Sequence, residues 1–203
     1  MSYRKPEAPP SDIPPALLCP ELVPVELVHS NPWFKVLSRG SYFTLEYERP
    51  QVVIVPLLGE HEVVMVRVHR PVIHDSPLEL PAGDSHDGET PRQAAAREFS
   101  EETGICIPDE TRFIPELPIS EMPGRIPVLL SVFSVQVRKN EFDSRKIHDR
   151  EIVSVEAIPL NKIANMISSG EIYLSSPCAI LSRLIFKKLS HLLNNGEEHE
   201  GRS

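Results

Sequence analysis

Apolar, mostly β-branched residues fill positions 51–58 and 61–69, with Gly59 and Glu60 between them. Runs of this length and composition predict two buried strands joined by a tight turn. Over Pro91–Thr103 the pattern changes to helical spacing, with Ala95 and Phe99 on a common face. Thr90 stands at the N-cap position, Pro91 at the first helical position and Gly104 just past the end, so both ends are marked. Further strands are expected at Ile105, around Phe113 and Ile114, at 128–138 and at 152–158. Two more helices are expected at 161–168 and 177–193. Strands on both sides of few helices predict an α+β fold, an α/β/α sandwich.

Upstream the text is different. Eight of the 21 prolines lie within the first 32 residues, which excludes regular helix or inner strand there. Residues 1–22 therefore read as a disordered, Pro-rich arm. Residues 23–50 carry Trp33, Phe34, Val36, Tyr42, Phe43, Leu45 and Tyr47 around a Ser38-Arg39-Gly40-Ser41 turn. That predicts a small N-terminal β-hairpin. Two aromatic-rich strands are marginal alone, so the hairpin is expected to be covered in a homodimer. The main domain is set at 51–193, and the polar stretch 194–203 reads as a frayed tail.

The 203 residues are 40% hydrophobic and 25% charged, enough to bury a core. The net charge of −8 comes without a basic stripe, which argues against a nucleic-acid binder. An acidic surface also repels membranes and phosphates unless a cation intervenes. Cys19, Cys106 and Cys178 are widely spaced and suggest neither a disulfide framework nor a zinc site. The first residues lack the apolar stretch of a signal peptide, and the longest apolar runs are strand-sized. A soluble, cytoplasmic protein with no membrane partner is the expectation.

The chemistry concentrates in 83–105. At about 100° per residue, Glu98, Glu101 and Glu102 share one arc of the helix. Three carboxylates on one arc repel one another. Either they form a solvated acidic face, or they supply the hard oxygen ligands that Mg²⁺ or Mn²⁺ needs beside substrate phosphates. Arg97 lies off that arc, where it can tie back to Glu89.

The order Gly83, five residues, Glu89, seven residues, then Arg97-Glu98-Phe99-Ser100-Glu101-Glu102-Thr103-Gly104-Ile105 resembles the Nudix box at every defining position. The resemblance implies the Nudix fold, a divalent metal and hydrolysis of a nucleoside diphosphate linked to a further moiety. Glu79-Leu80-Pro81-Ala82-Gly83 resembles the lead-in of the ADP-ribose and nucleoside-diphosphate-sugar pyrophosphatases. Val66 to Pro71, Pro123-Gly124 and Gly170-Glu171-Ile172 are similar to other markers of that branch. Leu78 stands where the branch has an aromatic, His69 replaces another, and Arg125-Ile126-Pro127-Val128 replaces a small-residue run.

What the resemblance implies for the site follows residue by residue. Glu98, Glu102, Glu101 and the Ala82 carbonyl would hold Mg²⁺ or Mn²⁺, with Glu101 also counted as catalytic. Gly83, Glu89, Arg97 and Gly104 would shape the box. Glu151 is the expected general base, with Glu141, Asp143 and Asp149 competing in the same stretch. Arg70 would face phosphate, a task suited to its planar fork. Glu79 would hold substrate or a supporting group, and Trp33 would stack on a base or serve as packing. The leading activity is cleavage of ADP-ribose or a similar nucleotide sugar to a nucleoside monophosphate and a sugar phosphate. Alternatives are another dinucleotide or nucleoside triphosphate substrate, or a nucleotide-sugar sensor.

Overall fold

The structure, a computed structural model, describes residues 12–146 and 150–200. Its centre is a seven-stranded mixed sheet. Strands β4 (Gln51–Leu58), β5 (Glu62–Val68), β8 (Ile114–Ile119), β9 (Leu130–Val137) and β10 (Ile152–Pro159) run in the order β10-β5-β4-β9-β8. Two short strands join from the side: β6 (Leu78–Glu79) pairs with β5, and β7 (Ala82–Asp84) pairs with β4. Among the described residues only β4 and β9 pair in parallel; the other pairs are antiparallel.

Period-two alternation divides β4 between two cores. Val52 and Ile54 belong to the core that also takes Ala94, Ala95 and Phe99 of helix α1 (Pro91–Thr103). Val53 and Val55 belong to the opposite core, with Ile163 of α3 (Leu160–Ser169) and with Ile180 and Leu181 of α4 (Ser175–Glu200). Helices thus cover both faces, as the sandwich expectation requires. A short helix α2 (Lys139–Asp143), not expected from the sequence, follows β9.

Four expectations need correction. The N-terminal hairpin is a three-stranded antiparallel sheet: β1 (Val25–Ser30) adds to β2 (Phe34–Arg39), which pairs with β3 (Tyr42–Tyr47). The two-residue turn between β2 and β3 works because Gly40 takes φ 57°. Ile105 is not in a strand; it is fully buried beyond the helix end, its N–H held by Thr103 Oγ1 at 3.1 Å. The described part of the arm, 12–22, has no helix or strand, yet Leu18 N–H donates to the Pro127 carbonyl at 2.9 Å; residues 1–11 lie outside the described residues. Finally, α4 does not end at 193 but continues to Glu200. No proline follows Pro177 to stop it, and one glycine, Gly196, costs a helix only about 1 kcal/mol. Residues 201–203 of the expected tail lie outside the described residues. No described helix is long and apolar enough to cross a membrane.

Candidate active site

Local sequence sets α1 in place at both ends. Thr90 and Gln93 form a reciprocal capping box, the Thr90 N–H reaching Gln93 Oε1 at 3.0 Å and the Gln93 N–H reaching Thr90 Oγ1 at 3.3 Å. Gly104 closes the helix in the left-handed conformation, φ 69°, its N–H on the Ser100 carbonyl. Phe99 then anchors the apolar face edge-on to Phe113, ring centres 5.8 Å apart. With that face committed to the core, Glu98 and Glu102 turn toward β7.

There the backbone comes very close. The Ala82 N–H donates to Glu102 Oε2 at 2.9 Å, and a Cβ on Gly83 would overlap the Glu98 carboxylate. Burial pushes the Glu102 carboxyl up to about 8, against the Ala82 N–H that favours its charged form, while the nearby Glu98 raises it further. Burial also raises Glu98, opposed by Arg97. Glu101, the third member of the arc, is set apart: it is exposed, with its carboxylate 3.0 Å from Arg97 Nη1.

Arg97 is the hub of the loop. Its Nε and Nη2 grip both Glu89 oxygens at 2.9 and 3.0 Å, as its place off the arc predicts. Nη1 also reaches Glu98 at 2.7 Å and Nη2 the Asp84 carbonyl at 2.7 Å, contacts not read from the sequence. Glu89 accepts the His86 N–H as well, at 2.7 Å. The Arg97 guanidinium holds the Glu89 carboxyl down at about 2.

Among the described residues no three Asp, Glu, His or Cys side chains close into a metal cage. The donor set that is present suits Mg²⁺ even so. That ion usually takes one or two carboxylates and completes its shell with water and substrate phosphate. Glu98 and Glu102 are two crowded, desolvated carboxylates beside Ala82, and a cation would relieve both burial and repulsion.

In front of them lies a cleft of about 510 Å³, lined by Arg70, Glu79, Ala82, Gly83 and Asp84 among others. The expected substrate pair is on its wall, but clasped together: Arg70 Nε and Nη2 meet the two Glu79 oxygens at 2.7 and 2.8 Å. In the β5–β6 pairing Glu79 lies opposite Val66, and Arg70, past the end of β5 and bridged to Asp75, reaches back to it. Glu151 is exposed at the start of β10, its carbonyl accepting the His69 N–H at 2.9 Å, and its charge acts on Arg70. Its competitors stand differently. Glu141 is bound to Arg112 at 2.6 and 3.0 Å and accepts the Arg138 N–H, and Arg112 lowers its carboxyl from the usual range. Asp143 pairs with Lys139, and Asp149 lies outside the described residues. Trp33, 70% exposed, borders a second cavity with Asp84 and Asp87 of the box loop.

The cleft also recruits residues the sequence reading did not choose: Tyr47, Gln51, Glu121 and Ser176. Gln51 donates to Asp84 at 3.0 Å, and Ser176 Oγ donates to Glu121 at 2.8 Å. Signals for two of them exist, since Glu121 precedes the Pro123-Gly124 marker and Ser176 precedes Pro177 at a helix start.

Residues 48–174 match the model of the NUDIX domain. Among curated proteins the chain is similar to an ADP-ribose pyrophosphatase of Bacillus subtilis (strain 168), 26% identical over 122 residues, covering 60% of this chain and 64% of that protein. A methanol dehydrogenase activator of Bacillus methanolicus is 25% identical over 122 residues, with the same coverage. An ADP-sugar pyrophosphatase of Mus musculus is 46% identical over 57 residues, 26% of either chain. The match thus spans 64% of the length of the two Bacillus proteins.

Proposed function

The chain belongs to the NUDIX domain family, and on that premise we propose that it hydrolyses the pyrophosphate of ADP-ribose or a related nucleoside diphosphate sugar, yielding a nucleoside monophosphate and a sugar phosphate. The observation that carries this reading is a pair of carboxylates, buried Glu102 and half-buried Glu98, against Ala82 at the edge of a cleft that also holds Arg70. A Mg²⁺ or Mn²⁺ held by Glu98, Glu102 and the Ala82 carbonyl, with Glu101 as a further ligand, would neutralise phosphate charge, which is most of what this chemistry requires.

The chain's own residues do the rest. Arg97 and Glu89 hold the box loop, and with it Glu98, in one geometry. Arg70, oriented by Glu79, presents its guanidinium to a phosphate. The Glu151 carboxylate takes a proton from the attacking water. Its exposed position near Arg70 supports this role, and the engagement of Glu141 with Arg112 weighs against that competitor. Trp33 offers a ring beside the box loop on which a base can stack.

The substrate branch rests on the pyrophosphatase names of two relatives and on the 79–83 lead-in. A second copy of the chain is the proposed partner, docked on the N-terminal sheet, where Val25, Leu27, Trp33, Tyr42 and Phe43 are exposed. The deciding experiment incubates the full chain and Mg²⁺ or Mn²⁺ with nucleotide sugars, dinucleotides and nucleoside triphosphates, then separates the products. Nucleoside monophosphate plus sugar phosphate from ADP-ribose supports the reading. Turnover confined to triphosphates or dinucleotides overturns the substrate, and binding without turnover turns the protein into a sensor.

A further inference from the structure

Between α4 and the central sheet, on the face away from α1, lies a cavity of about 260 Å³ that the proposed hydrolysis does not use. Val55 and Leu57 of β4, Val132 of β9, and Ile180 and Leu184 of α4 line it. The catalytic cleft is built on the same three elements, but from Val53, Leu130 and the first turn of α4, and the two spaces share no residue. An apolar wall of this kind cannot satisfy the hydrogen bonds of a base or a sugar.

The opening of the cavity is cationic. Arg183, Lys187 and Lys188 border it, against one carboxylate, Glu116, which accepts a hydrogen bond from Ser134 Oγ at 2.8 Å. Among the described residues none of the three cations forms an ion pair with a carboxylate. Arg183 instead donates to the carbonyls of Leu117 and Pro118, and Lys188 to that of Glu60. In a chain with a net charge of −8, three cations against one carboxylate among the described residues around one apolar opening form a local field that attracts an anion.

We propose that this cavity binds a linear alkyl chain carrying one anionic headgroup, with the chain among the valines and leucines and the headgroup at Lys187 and Lys188. Taking ~30 Å³ per methylene-sized group, the liquid share of one water, the space suits about eight carbons. The inference stands on these residues alone and does not depend on the hydrolytic reading.

Calorimetric titration of the full chain tests it with octanoate, octyl phosphate, octanol and octylammonium. Octanoate and octyl phosphate are expected to bind once per chain, their ratio reporting whether carboxylate or phosphate is preferred. Each methylene removed from octanoate should weaken binding about fourfold. Octanol should bind at least about tenfold more weakly, and Lys187→Glu, an exposed change on α4, should weaken octanoate to a similar degree. Excess ADP-ribose should not displace it. Failure of both anions to bind, octylammonium binding as tightly as octanoate, or displacement by ADP-ribose would each overturn the proposal.

Discussion

Gly83 and Glu98 touch so closely that no side chain fits between them: a Cβ at position 83 would occupy the space of the Glu98 carboxylate. The requirement is one of close approach, since β7 must lie against α1 for the Ala82 N–H to reach Glu102. Gly83→Ala should therefore push the Glu98 carboxylate off its place. Overpacking of this kind destabilises by about 1–3 kcal/mol, while turnover should fall by roughly 10² because a ligand is misplaced. Paired measurements of kcat and Tm check this; an unchanged kcat would show that Glu98 does not act from this position.

Glu98→Gln and Glu102→Gln remove charge but keep shape. Each should lower kcat by about 10² or more, on the scale of electrostatic terms of this kind. The fold should survive, since the Glu102 carboxyl, with its raised value of about 8, is already largely protonated near neutral pH without a cation. Near-normal turnover of both variants at saturating Mg²⁺ would remove the metal assignment.

The raised Glu102 carboxyl also sets a pH dependence. Its folded-state value of about 8 lies above the ordinary 4.5. In the metal-free protein its contribution to stability is therefore full below about 4.5 and is lost as pH rises through about 8. Metal binding must displace that proton. Apparent Mg²⁺ affinity should accordingly rise up to about tenfold per pH unit below 8 and level off above it. Titrations with Mg²⁺ at pH 6, 7 and 8 measure this, and a flat profile would contradict it.

Glu151 and Glu141 separate base from scaffold. Glu151→Gln should lower kcat by about 10² to 10⁴ with KM nearly unchanged. Glu141→Gln should instead lower Tm and spare kcat, because its carboxylate joins Arg112 to the start of α2. The reverse outcome would move the base to Glu141.

The N-terminal sheet should be a dimer contact. Its exposed aromatic and aliphatic residues form the kind of surface that a partner covers. Deleting residues 1–50 should abolish the dimer and weaken substrate binding. Light scattering that finds the full-length chain monomeric would refute the assembly.

Much of the site was legible in the chain because it depends on local geometry. Thr90, Pro91 and Gly104 delimit α1 through capping rules that act within a few residues, and a helical period places Glu98 and Glu102 on one side. The wheel sets Arg97 off the carboxylate arc, and its tie to Glu89 spans only eight residues of loop and helix. Other features needed the assembled sheet. The wheel alone gives Glu101 the same standing as its neighbours; packing of Ala95 and Phe99 into the core buries Glu102, half-buries Glu98 and leaves Glu101 exposed. Strand β1 is defined by its pairing with β2, in a stretch whose prolines mask strand character. The Arg70–Glu79 clasp joins β6 to the chain just past β5, and the Gly83–Glu98 contact joins β7 to α1. Such contacts depend on how β5 meets β6 and how α1 meets β7, and these distances are set by sheet register and core packing rather than by spacing along the chain.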